Sequence, residues 1–194
     1  MPNWCNNTVE INHKDPAKMY ALVEAVNAGK FCNFAIPVPE SLHIIAGCAG
    51  SDDSPEQIAL IEAQNKNIAE HGYKDWYDFC TSRWGTKWDV SFDSIERVNP
   101  NTVQASFDSA WAPPTVAYEK LIELGFYVKA YYYEPGMAFC GCWEGDTENG
   151  FFDDYAEYSG ETSKTVREAI GAELDDMFGI SESMAQWEEE NADE

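Results

Sequence analysis

Val103, Ala105, Phe107 and Ser109 alternate with polar neighbours after the turn Asn99-Pro100-Asn101-Thr102, and a second alternating set, Trp88, Val90 and Phe92, precedes that turn. Side chains on a strand share a face at every second residue, so two such runs joined by a tight turn specify an antiparallel hairpin with one apolar face. That face needs a cover. The sequence supplies it in segments of helical period, and the order in which they alternate with strands sets the fold class.

"NNTVEIN" alternates Val9 and Ile11 against polar residues and reads as a half-buried strand. In "DPAKMYALVEAVNAG", Asp15 can cap, Pro16 suits the first turn, Met19, Leu22, Val23 and Val26 form one stripe, and Gly29 ends the helix. "FCNFAIPVPES" reads as a second strand broken by Pro37 and Pro39. Residues 40–87 read as a helical insertion: a turn-rich stretch, a helix with a face marked by Ile58, Ile61 and Ile68, and a shorter helix carrying Trp76, Phe79, Cys80 and Trp84. After Pro113-Pro114 a short helix with Val116, Leu121 and Ile122 closes at Gly125, and "FYVKAYYYEPG" with "MAFCGCWEG" forms another hairpin. A last helix from Ser163 carries Val166, Ile170, Leu174 and Phe178 at steps of four.

This order predicts an α+β chain in which helices cover one face of an antiparallel sheet, with the ferredoxin-like split βαβ arrangement accounting for most of it. Residues 1–144 form that expected domain, and residues 145–194 an acidic C-terminal segment packed on it.

Charge is the second constraint. The 194 residues carry 35 acidic against 12 basic side chains, a net charge of −23. From Glu134 onward there are 18 acids against Lys164 and Arg167, a net of −16. Such a field opposes direct association with DNA, RNA or an anionic membrane and steers in a basic partner. The start lacks a basic and apolar leader and no apolar run is of membrane-spanning length, so a cytoplasmic location and thiol cysteines are expected. "EEENADE" reads as a frayed, solvated end.

Three motif classes fail on spacing. Counting Asp146 as the first position of a calcium loop puts Glu148 third and Glu157 twelfth, but Phe151 stands sixth, where the sharp turn requires glycine. Cys140 and Cys142 have no second pair to complete a zinc site, and His13, His43 and His71 lie in separate segments. No phosphate-binding glycine loop or nucleophile elbow is present, so no catalytic residue, metal or cofactor is assigned.

"MPNWCNN", "RWGTKWDV", "FDSAWAPP" and "YYYEPGMAFCG" together resemble the YubB-like proteins of phages and conjugative plasmids, over Met1 to about Gly141. The resemblance implies a ferredoxin-like domain and a mobile-element origin, and brings no catalytic residues with it.

"GDTENGFFDDYAEYSGE" remains to be explained. Asp146, Glu148, Asp153, Asp154, Glu157 and Glu161 interleave with Phe151, Phe152, Tyr155 and Tyr158, and Glu168, Glu173, Asp175 and Asp176 follow on a helix. Carboxylates spaced over a rigid face with aromatic anchors suit a surface that docks a basic, nucleic-acid-binding protein, in the manner of a DNA mimic of anti-CRISPR or anti-restriction type. The alternative expectation is a small enzyme or ligand-binding domain with its site near Trp84, Trp88 and Trp111.

Overall fold

The computed structural model describes residues 2–191. Strand β1 (Trp4–Asn12) turns Cys5, Asn7, Val9 and Ile11 inward. Helix α1 (Pro16–Asn27) starts as expected: the Asp15 carboxylate accepts the Ala17 N–H at 2.9 Å, and Met19, Leu22 and Val26 are buried.

Phe31–Ala35 forms a short helix, α2, rather than the expected strand. Pro37 and Pro39 remove ladder donors from this segment. In addition, Asp89, distant in sequence, accepts the N–H groups of Cys32 (2.7 Å) and Asn33 (2.9 Å) and so caps α2. That commitment has a second effect: Trp88, Val90 and Phe92 are not in a strand, and β2 begins only at Ser94 (Ser94–Asn99). Val90 and Phe92 still point into the core.

The insertion holds helices α3 (Pro55–His71) and α4 (Trp76–Arg83). Ile58, Ile61 and Ile68 are exposed on α3, which instead buries Leu60, Gln57 and Asn67. Gln57 Oε1 accepts the Ala49 N–H at 2.8 Å, and Asn67 Nδ2 donates to the carbonyls of Ser41 and Lys74, so polar contacts fasten this helix.

Strand β3 (Thr102–Ala110), helix α5 (Thr115–Glu123), and strands β4 (Tyr127–Glu134), β5 (Phe139–Asp146) and β6 (Gly150–Glu157) follow. All six strands form one antiparallel sheet in the order β2-β3-β1-β4-β5-β6. The chain is therefore α+β.

The stripe Val166, Ile170, Leu174 and Phe178 does pack inward, but on two helices, α6 (Val166–Ile170) and α7 (Ala172–Phe178), and a third, α8 (Ile180–Glu190), follows them. Gly171 (φ +85°) and Gly179 (φ +62°) adopt left-handed backbone that other residues reach only at a cost, and they fold the expected single rod back on itself. The end expected to fray is helical through Glu190, and residues 192–194 lie outside the described residues.

Helices cover both faces of the sheet, not one. Val9, Ile11, Phe107, Val128, Tyr132 and Trp143 meet α1, α2 and α5 in the larger core. On the opposite face of β4–β6, Cys140, Tyr131, Tyr133 and Tyr158 meet α6–α8 in a smaller one. The strands' period of two presents these residues to opposite sides.

Candidate functional site

The acidic-aromatic stretch is the last hairpin of the sheet. Asp146 folds its turn, accepting N–H groups from Glu148 (2.6 Å) and Asn149 (2.8 Å) and the Asn149 amide (2.8 Å); these bonds, the Asn149 side chain's first, hold its carboxyl below the ordinary range. Gly150 then takes φ +75° and launches β6.

Alternation on β6 sorts the interleaved residues. Phe151, Asp153, Tyr155 and Glu157 stand opposite Gly145, Trp143, Gly141 and Phe139 and share the face of α1 and α5. Phe152, Asp154, Ala156 and Tyr158 lie on the face of α6–α8. Phe151 stacks on Trp143 at 5.3 Å and 16°, and Tyr155 lies 5.6 Å from Phe139. Anchored in this way, Phe151 and Tyr155 remain about half exposed, and Phe152 on the other face is more exposed still.

Tyr132 of β4 donates its phenol to Asp153 Oδ1 at 2.6 Å, reaching across β5 at Gly141, where no side chain stands in the way. Burial pushes the Asp153 carboxyl up, and the Tyr132 hydrogen bond works against it. Tyr155 donates to Glu157 at 2.7 Å. A cleft of about 300 Å³ opens beside Asp153 and Tyr155, walled on its other side by Gly85, Pro113 and Thr115.

Two of the expected contact residues do not face outward. Tyr158 is 7% exposed and fills the smaller core, stacked with Tyr133. Asp175 is 3% exposed: it accepts Arg167 Nη1 at 2.8 Å and both the N–H and hydroxyl of Ser181 at 2.7 Å. A buried carboxylate with this many donors holds α7 against α8 and is not free to meet a partner. Asp176 is exposed and shares Arg167, Glu168 is exposed, and Glu161 is half-buried. Glu148 is exposed, with Lys14 at 3.8 Å. Glu173 accepts from Tyr131, drawing α7 onto β4. Glu144, beside β6, was not singled out by pattern; it accepts from Tyr127 at 3.0 Å and pairs with Lys129 at 3.5 Å.

Asp175 gives a test of this sorting. Burial opposes its ionisation, and the bonds from Ser181 and Arg167 outweigh burial, leaving its carboxyl below the ordinary 3.8. A depressed carboxyl contributes stability that is complete above its unfolded value and lost as pH falls through the folded one. Urea unfolding of wild type should therefore lose this contribution below about pH 4. Asp175→Asn should be weaker by about 1–3 kcal/mol at pH 7 and flatter in that acid window. An unchanged midpoint at pH 7 would return Asp175 to the surface set.

Among the tryptophans, Trp84 is core, 4% exposed, with its indole N–H on the Ile36 carbonyl at 2.9 Å. Trp88 and Trp111 are 39% and 40% exposed, and Trp4, not singled out by pattern, is 49% exposed. Lys87 Nζ sits 4.4 Å from the Trp88 ring, 5.2 Å from Trp111 and 5.5 Å from Tyr77. Trp4 and Trp88, 6.1 Å apart at 37°, wall a cleft of about 310 Å³ whose lining holds no histidine or cysteine.

No family model matches this chain, and no curated protein matches it. Among solved structures, the crystal structure of a protein api92 from Yersinia pseudotuberculosis, of the family model DUF1281, is similar in arrangement. It aligns with a TM-score of 0.44 and 12% identity over 81% of this chain and 98% of that one. No helix among the described residues is long and apolar enough to cross a membrane.

Proposed function

We propose that this chain is a non-enzymatic acidic binding protein whose β6 edge docks a basic, nucleic-acid-binding protein and competes there with nucleic acid. The observation that carries the reading is the construction of β6. It is an edge strand, stiffened by pairing with β5 along its length, that displays Asp153, Asp154 and Glu157 together with Phe151, Phe152 and Tyr155. Exposed carboxylates on a rigid element steer encounter, and half-exposed aromatics supply apolar anchors within a charged rim. Glu144 beside β6 and Asp146 and Glu148 at its turn add acidic residues to this hairpin, and Glu161, Glu168 and Asp176 follow the strand in the chain.

The finer parts of the reading have separate supports. A ferredoxin-like arrangement is supported by the four-strand portion β2-β3-β1-β4, in which β1 lies between β3 and β4 with α1 and α5 on one face. A mobile-element origin, and with it a host-cell defence protein as the target, rests on the resemblance to YubB-like proteins.

The test is direct competition. A protein captured from host lysate is purified, and its binding to a labelled duplex is followed by anisotropy as the full chain is added. Displacement should occur, weaken steeply with salt, and fall about tenfold or more for the triple variant Asp153→Asn, Asp154→Asn, Glu157→Gln. Displacement that the triple variant performs equally well removes β6 from the interface.

A further inference from the structure

We propose that the cleft beside the Trp4–Trp88 pair is a second binding site, for the guanidinium of an arginine side chain on a protein partner. It lies at the β1–β3 part of the sheet, on elements other than β6, and stands whether or not β6 docks anything.

The cleft combines two features that select a cation. Its walls are two half-exposed indoles, whose faces carry negative electrostatic potential. Its lining includes two acidic residues, Asp93 and Asp108. The Asp93 carboxylate has no hydrogen-bond or ion-pair partner among the described residues, and Asp108 receives only a long 3.4 Å contact from Asn6. Asp89, also in the lining, is spent on capping α2.

An independent observation shows what the Trp88 ring attracts. The ammonium of Lys87 lies over Trp88, Trp111 and Tyr77 and has no carboxylate partner among the described residues, so the aromatic cluster alone holds a cation of the chain itself. Trp111 is presented for this at backbone φ +72°, an outlier for a bulky residue, fixed by its N–H bond to the Asn3 carbonyl at 2.9 Å. The cleft on Trp88 is preorganised in the same way. Thr86 on one side bonds the Ala110 carbonyl at 2.9 Å, Asp89 on the other caps α2, and Trp4 is held in register with Ala110.

Arginine suits this site better than lysine. A planar guanidinium stacks flat on an indole while its in-plane N–H groups reach carboxylates at the rim, whereas an ammonium satisfies one requirement at the expense of the other.

The experiment is ¹H–¹⁵N NMR of the full chain titrated with acetyl-Gly-Arg-Gly-amide, with indole N–H signals assigned through Trp4→Phe and Trp88→Phe. Saturating shifts are expected at the Trp4 and Trp88 indoles, with a weaker response to the lysine peptide and none to acetyl-Gly-Gly-Gly-amide. The variant Asp93→Asn, Asp108→Asn should bind about tenfold more weakly or worse, since it removes charge-assisted bonds and leaves the aromatic walls intact. Trp88→Ala should abolish binding, the remaining indole signals reporting that the fold is kept. No saturating shift at millimolar arginine peptide overturns the proposal. So does binding that survives both variants, or a response to choline without one to the arginine peptide.

Discussion

Trp143→Ala is expected to cost about 3–5 kcal/mol of unfolding free energy, the range for removing a large aromatic from a packed core. For a chain of this length that lowers Tm by about 6–20 °C. Trp143 is fully buried, lies 5.4 Å from Tyr118 on the inner side, and gives Phe151 its stacking surface. One side chain thus links the α5 layer to β6. Removing it should also free Phe151, so the Phe151 ring signals should broaden or move toward exposed values at temperatures where the variant is still folded. A loss under about 1 kcal/mol in urea unfolding would mean that neighbouring rings close over the gap, and that β6 does not depend on this post.

Gly141→Ala is expected to destabilise, against the usual sign for a glycine in a strand. Replacing glycine by alanine commonly stabilises by about 0.4–1 kcal/mol, because the unfolded chain loses freedom. Here the added methyl would overlap the Tyr132 phenol ring and lie 2.8 Å from the Asp154 carbonyl oxygen. One obstacle is a rigid ring and the other is backbone, so neither yields without breaking the Tyr132–Asp153 bond or the β5–β6 ladder. Overpacking of this kind costs about 1–3 kcal/mol. The cause is checked by a double-mutant cycle. In a Tyr132→Ala background the same Gly141→Ala change should be much less harmful, a coupling of about 1 kcal/mol or more. Equal cost in both backgrounds would place the strain at the ladder instead of at the ring.

The difference between what pattern revealed and what it hid follows from where each determinant lies. Helix α1 is encoded within its own residues, Asp15 and Pro16 before the stripe, and pattern finds it. Helix α2 depends on Asp89, a cap contributed from beyond the whole insertion, so Phe31–Ala35 looks like a strand until the chain is folded. The C-terminal stripe was legible because its residues do pack inward, but the breaks at Gly171 and Gly179 depend on left-handed backbone that spacing does not report. Strand β6 gives no alternation of apolar and polar residues because it lies at the sheet edge with nearly every residue exposed, and its hidden partners, Trp143 and Phe139, belong to β5.

The candidate site divides in the same manner. Acid content marks out a region but treats all carboxylates alike, and Asp175 is distinguished from Asp176 only by the donors of Ser181 and the burial between α7 and α8. Among the tryptophans, Trp84 fills the core while Trp88, four residues on, stands half exposed, because Thr86 between them and Asp89 just beyond fix the backbone.

Strand β6 has one more consequence, which concerns copies of this chain meeting each other. An edge strand with an open row of backbone donors and acceptors and three exposed aromatic rings is a template for adding strand after strand. A second β6 brought alongside would set Asp153, Asp154 and Glu157 against their own kind, and like charges across a strand pair repel. The sheet's other edge, β2, is short and interrupted by an irregularity between Arg97 and Asn99, a different protection for the same exposed feature. The acids of β6 thereby oppose the pairing of one copy's β6 with another's, and favour an approaching strand or loop that carries positive charge.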